Sequence, residues 1–173
     1  YDVLEHTAYA VQHAAPSLLV KWAALCHDLG KPGSAFFTPD GQEHFYGHSR
    51  LSAKIAQGML RRFQFSDHFI NDVSRLVALH DFKNLEPTRK SVKRMLRKLD
   101  GREDLFWALC ELKEVDAKAH APIAAKRFDR ELTERIFQEI LAEGEAFRIS
   151  DLEIDGADLI DLGFETGPQI GFV

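Results

Sequence analysis

The sequence predicts an all-α fold, a bundle of about seven helices with a small loop or hairpin near 34–45 and a short helical tail. Apolar residues recur at three- and four-residue spacing along most of the chain, capping residues open several of these stretches, and no alternating apolar and polar series marks a large sheet. Asp2, with Glu5 three residues on, starts a first helix running to about Ala14. Pro16 and Ser17 open a second, which Gly30 and Pro32 close. Residues 34–45 break the helical period and read as a hairpin turning at Pro39-Asp40-Gly41. A third helix covers about His48 to Phe63, and Ser66 caps a fourth that ends near Asp81. Thr88 after Pro87 opens a fifth, ending near Leu99; a sixth covers about Glu103 to Ala119 and a seventh about Ala124 to Ala146. A last short helix near Ala157 to Leu162 is stopped by Gly163.

The 173 residues, 45% hydrophobic and 28% charged, suit one globular unit with a sizeable core, and exclude disorder, collagen and coiled coil as its main description. Residues 1–122 are expected to carry the site and 123–173 to form a long helix and tail packed on it. No apolar run approaches the roughly 18 to 20 residues of a bilayer span, and no basic-then-apolar leader is seen, so a soluble, cytoplasmic protein is expected. Cys26 and Cys110 stand in apolar surroundings without a C-x-x-C pairing and read as reduced core thiols. Lys83 to Arg102 holds eight basic residues against two acids, and Glu131 to Glu165 eleven acids against two Arg, so the overall charge of −5 hides two opposed regions. The chain opens on Tyr1 rather than Met and stops just after a Gly-Pro helix start, and is expected to be a fragment of a longer polypeptide.

The polar residues that share apolar helix faces carry the chemistry. His48 lines up with Leu51, Ile55 and Met59; His80 continues the stripe Phe69, Val73, Leu76, and Asp81 follows Ile70 and Val77; Asp116 continues Leu105, Leu109, Leu112. His6 falls on the stripe Val3, Ala10, Ala14, whose small residues admit a close neighbour. His27 faces the apolar side of the second helix, whereas Asp28 stands seven residues after Lys21 and helical phase alone does not bury it. A carboxylate at that helix end opposes the macrodipole by about 0.3 to 1 kcal/mol unless a cation, a metal or Lys31, compensates. Each residue alone has a plain structural reading as a hydrogen-bonded core His or a surface acid. Together they need mutual satisfaction, and a divalent ion satisfies them at once. Imidazole and carboxylate without thiolate suit Mn, Fe, Ni, Co or Zn, with Mg also admitted, rather than a structural zinc site.

The order His6, His27-Asp28, His48, His80, Asp116 resembles the HD superfamily of metal-dependent phosphohydrolases. The flanks DVLEHT, AALCHDLGKP, HFYGHSRLSA, LVALHD and the closing DLEIDGADLIDLGFETGPQIG are similar to the HD module of bacterial CCA-adding tRNA nucleotidyltransferases and poly(A) polymerases over essentially the whole chain. The resemblance implies a helical HD domain, a first metal site of His6, His27, Asp28 and Asp116, and, where two ions bind, Asp28 as bridge with His48 and His80 holding the second. It also implies a phosphate contact for Lys31 and, for His44, an outer phosphate contact or an acid. At Ser49 the sequence departs from the Glu that relatives often carry. Nucleotidyl transfer would need a Gly-Ser loop with an Asp-x-Asp pair; Gly33-Ser34 has no such partner, so this chain is not expected to add nucleotides.

The fifth helix places Val92, Met95, Leu96 and Leu99 on one face and Arg89, Lys90, Lys93, Arg94, Arg97 and Lys98 on the rest. Such a face is either simply solvated or tracks the phosphates of RNA. Two functions follow from the sequence. One is metal-dependent hydrolysis of a phosphate ester, for which the resemblance implies phosphomonoesters or 2′,3′-cyclic phosphodiesters on nucleotides or RNA ends. The other is a non-catalytic module binding RNA, tRNA among the candidates, around a structural or vestigial metal site.

Overall fold

The structure is a computed structural model that describes residues 2–81, 87–119, 128–143, 156–164 and 167. The fold is all-α, as expected. Helices α1 (Val3–His13), α2 (Leu18–Cys26) and the single turn α3 (Lys31–Ser34) lead into a two-stranded antiparallel hairpin, β1 (Ala35–Phe37) and β2 (Glu43–Phe45). Then come α4 (His48–Arg62), α5 (Asp67–Leu79), α6 (Arg89–Lys98), α7 (Glu103–Ala119), α8 (Arg130–Ala142) and α9 (Gly156–Asp161).

Most starts follow from side-chain caps. Asp2, Ser17, Ser66, Thr88 and Asp129 each accept a hydrogen bond from the backbone N–H three residues on, a contribution of about 1 kcal/mol apiece. Thr88 and Ser91 cap each other reciprocally. The hairpin pairs Phe36 with His44 and turns at Gly41, whose φ of 82° a side chain would resist.

Helix α2 is the hub. It packs against α1, α5 and α7, and α4 lies along α5 in the most extensive helix pairing among the described residues. Its buried Val20, Ala23, Ala24 and Cys26 meet Ala10 and Ala14 of α1, Val73, Leu76 and Val77 of α5, and Leu105, Leu109 and Leu112 of α7 in one core. Each fully buried Leu contributes on the order of 2 kcal/mol through removal from water. A second group joins α7 to α8, with the rings of Phe106 and Phe137 stacked at 4.9 Å. Both cysteines are free and buried, and burial pushes each thiol up to about 12, which makes them inert core residues as expected. Trp22 and Trp107 are only partly buried and flank the core.

Four expectations are corrected. Helix α2 stops at Cys26, and Pro32 does not end it but sits in the first turn of α3, where its missing N–H leaves no bond unmade. On α4 the buried face is His48, Ser52, Ala53, Ala56 and Leu60, not Leu51, Ile55 and Met59; Ile55 is exposed. The small residues face inward because α5 approaches closely there. Helix α8 begins after the cap Asp129 rather than at Ala124, a position that, like Ala146, lies outside the described residues. Asp81 is exposed, although Ile70 and Val77 on its stripe are buried, because α5 ends at Leu79.

Candidate metal centre

Six side chains from five elements converge where α1, α2, α4, α5 and α7 meet. The turn after α2 makes this possible. His27 (0% exposed), still in αR conformation at the cap, keeps to the apolar face of α2, and because the helix ends at Cys26 the following turn brings Asp28 (1%) inward as well. Gly30 lets that turn lie directly on the start of α4. A Cβ at position 30 would stand 2.4 Å from the backbone oxygen of His48, and the Gly30 N–H donates to Ser52 Oγ at 2.8 Å. His48 opens α4 after Gly47 at φ 76°, and the first turn of that helix carries no side-chain cap.

The four imidazoles share one device. Nδ1 of His27 lies 2.7 Å from Ala24 O, that of His48 2.8 Å from Phe45 O, that of His80 2.7 Å from Val77 O and that of His6 3.3 Å from Ala119 O. A carbonyl only accepts, so each Nδ1 must carry the hydrogen, and each Nε2 is left facing the centre with its lone pair when the ring is neutral. The Nε2 atoms of His6 and His27 stand 3.0 Å apart, and those of His48 and His80 3.2 Å apart. Two lone pairs at that separation repel unless a cation lies between them.

Asp28 lies between the two histidine pairs. Its Oδ2 is 3.2 Å from His27 Nε2 and 3.5 Å from His6 Nε2; its Oδ1 is 3.5 Å from His48 Nε2 and 3.7 Å from His80 Nε2. Asp116 Oδ1 stands against the first pair, at 3.0 Å from His6 and 3.4 Å from His27. Lys31 Nζ reaches Asp28 Oδ2 at 2.6 Å, so the compensating lysine does contact the carboxylate. Oδ1 of Asp28, by contrast, is buried and accepts no hydrogen bond. A buried carboxylate oxygen in that position is costly unless a cation meets it.

The donor chemistry fits divalent metal. His6, His27 and Asp28 form one group able to hold an ion, and Asp28, His48 and His80 form another. Burial disfavours charge on His27, yet Asp116 and Asp28 push its pKa up to about 9. Burial likewise opposes ionisation of Asp28 and Asp116, but His27, His80 and Lys31 in the first case, and His27 with His6 in the second, hold both carboxyls well below the usual range. The field of these carboxylates thus draws a positive charge, whether proton or metal, to the Nε2 atoms.

The centre opens into a cavity of about 400 Å³ lined by Asp28, Lys31, His44, Tyr46, His48 and His80, and also by Asp81 and Asp116. The structure therefore brings together all six expected ligand residues, with Lys31 and His44 beside them. It keeps the α6 residues Arg89, Lys90, Lys93, Arg94 and Arg97 off the cavity wall; Arg89 pairs with Glu143 of α8. Two neighbours were not foreseen. Tyr46 lines the cavity, and Lys113 donates to His80 O at 2.9 Å, fixing the end of α5 to α7. Lys113 stands three residues before Asp116, one helical turn away, which was the available signal.

The family model for the HD domain matches residues 3–149. The chain belongs to the HD domain family. A CC-adding tRNA nucleotidyltransferase of Thermus thermophilus is 32% identical over 178 aligned positions, covering 96% of this chain and 38% of that protein. An A-adding tRNA nucleotidyltransferase of Deinococcus radiodurans is 33% identical over 85 positions, 46% of this chain and 20% of that protein. The chain thus spans well under half the length of either relative. No solved structure matches it significantly. Among the described residues, no helix is long and apolar enough to cross a membrane.

Proposed function

We propose that this HD domain is a metal-dependent phosphohydrolase acting on phosphomonoesters or 2′,3′-cyclic phosphodiesters of nucleotides or RNA ends, in the cytoplasm. The observation that carries the reading is Asp28, whose two oxygens are turned toward opposed histidine pairs while one of them lacks any hydrogen bond. His6, His27, Asp28 and Asp116 would hold a first ion, and His48 and His80 with Asp28 a second. Mn, Fe, Co, Ni, Zn or Mg bound there lowers the pKa of water and withdraws charge from phosphoryl oxygens.

The chain's own residues supply the rest. Lys31 places an ammonium in the cavity wall, 5.7 Å from the centre of the Phe45 ring, where it offsets phosphate charge. The uncapped first turn of α4 adds the positive end of a helix dipole on the same side. His44 lines the cavity from the hairpin and would hand a proton to the leaving oxygen. Burial of the imidazoles, with every Nδ1 tied to the main chain, orients the Nε2 atoms before substrate arrives.

The test is a screen of purified protein, supplemented with each divalent metal, against p-nitrophenyl phosphate and cyclic nucleotides, with Asp28→Ala in parallel. Metal-stimulated turnover that Asp28→Ala abolishes is expected; equal rates in the two proteins would sink the assignment. A second reading rests on α6, where Lys90, Arg94, Arg97 and Lys98 are exposed, and on the tRNA nucleotidyltransferase relatives. In it the domain binds RNA, tRNA included, through that helix. RNA affinity that falls steeply with salt, and falls again in Arg94→Ala/Arg97→Ala, would support it.

A further inference from the structure

The hairpin beside the cavity carries aromatic rings that the phosphate chemistry leaves unused. Phe36 stands directly across from His44 in the ladder, so both project from the same face of the ribbon. Tyr46, two residues beyond His44, lies over its imidazole with ring centres 5.3 Å apart and planes within 11°. The row is open to solvent, Tyr46 being 68% exposed and Phe36 54%. Three rings on one face, two of them bare, gain nothing from the core, since the helix bundle does not cover them.

Their position says what does. His44 and Tyr46 line the same cavity as Lys31, Asp28, His48 and His80. One part of that wall is built for an anion and the other for a planar, polarisable face. A cavity of about 400 Å³ lies at the lower end of small-ligand pockets, the size for one nucleotide rather than a duplex.

We infer that Tyr46, backed by His44, is a stacking platform for the base of a nucleotide whose phosphate lies at Lys31 and the histidine–aspartate centre. This deepens the phosphohydrolase reading and rests on it. The platform gives that reading its base contact, whether the ester is a free nucleotide or the terminal nucleotide of an RNA. Stacking on one aromatic side chain changes affinity roughly tenfold or more and tolerates every base. The site therefore selects nucleotides over sugar phosphates without selecting among bases.

The experiment measures binding rather than turnover, so the two readings fail separately. AMP and ribose 5-phosphate are titrated calorimetrically into the Mn²⁺-supplemented protein, its Tyr46→Ala variant and its Tyr46→Phe variant; substitution at so exposed a residue leaves the fold intact. AMP is expected to bind wild type at least about tenfold more tightly than ribose 5-phosphate. Tyr46→Ala should erase that ratio while leaving ribose 5-phosphate affinity unchanged, and Tyr46→Phe should retain it. Equal affinities for the two ligands in wild type, or a parallel loss of both in Tyr46→Ala, overturns the platform and leaves the phosphate site standing. Binding of neither ligand overturns the phosphate reading, and the platform with it.

Discussion

Among the described residues two clusters bury carboxylates, and they solve the problem differently. Asp72 on α5 is 8% exposed and meets the guanidinium of Arg102 in a two-pronged contact, Nη1 to Oδ1 at 2.6 Å and Nη2 to Oδ2 at 2.9 Å, while Arg102 also holds Asp104. Both oxygens of Asp72 are satisfied by protein. Asp28 is more deeply buried, yet Lys31 satisfies only Oδ2, and Oδ1 faces two histidine nitrogens without a hydrogen bond. The first cluster is closed by its own cation and ties α5 to the start of α7. The second is left asking for a cation from outside, which its histidine and carboxylate donors could hold.

The comparison can be broken most sharply at its central residues. Asp28→Asn should strip bound divalent metal and reduce metal-stimulated phosphoesterase activity about a thousandfold or more, whereas Asp72→Asn should leave metal content untouched. Elemental analysis of the two proteins side by side checks this. Asp116→Asn separates the halves of the centre: metal affinity should fall by about a hundredfold at the His6–His27 pair while the His48–His80 pair keeps its ligands, and metal titration would show one weakened site of two.

Gly30→Ala attacks the spacing between those halves, because the added methyl would meet the backbone oxygen of His48. A loss of about 3 kcal/mol in denaturant unfolding is expected, with weakened metal binding, since the turn and α4 must separate. Arg102→Ala should cost about 2 kcal/mol by leaving Asp72 with only the exposed His68 imidazole, 3.3 Å from its Oδ2, somewhat less than a fully buried pair because the arginine is 26% exposed, and should not alter metal content.

The smallest effect is one of pH. Arg102 holds the Asp104 carboxyl below its ordinary value of 3.8. The folded state therefore binds that proton less readily than the unfolded state, so the contribution is present above about pH 3.8 and is lost as pH falls further. Acid unfolding of Asp104→Asn should be slightly less steep than that of wild type, and identical curves would remove the residue from the linkage.

How far the sequence foretold each residue depends on whether helical phase applied to it. His80 and Asp116 continue apolar stripes that the structure buries, and their positions were readable. Asp28 was not readable, because its burial comes from a turn in which 3.6-residue periodicity no longer holds. His48 was placed on an inner face for the wrong reason: Leu51, Ile55 and Met59 outweighed Ser52, Ala53 and Ala56 in hydrophobicity, but the close approach of α5 selects for small size. The start of α8 was missed because the helix-forming run before it hid the Asp129 cap. Tyr46 stood beside His44 in plain view, but the side of the ribbon it joins depends on strand register, which the residues alone do not fix.

The atoms that hold the four imidazoles belong to the main chain. Ala24, Phe45, Val77 and Ala119 each contribute a carbonyl that any amino acid at the position would also supply. Side chains at those positions can change over generations without erasing the acceptor, provided the local backbone path survives. The orientation of the histidines is thus inherited with the fold rather than with a set of partner residues, and it gives this centre a tolerance to sequence drift that the Asp72–Arg102 contact, built from two side chains, does not share.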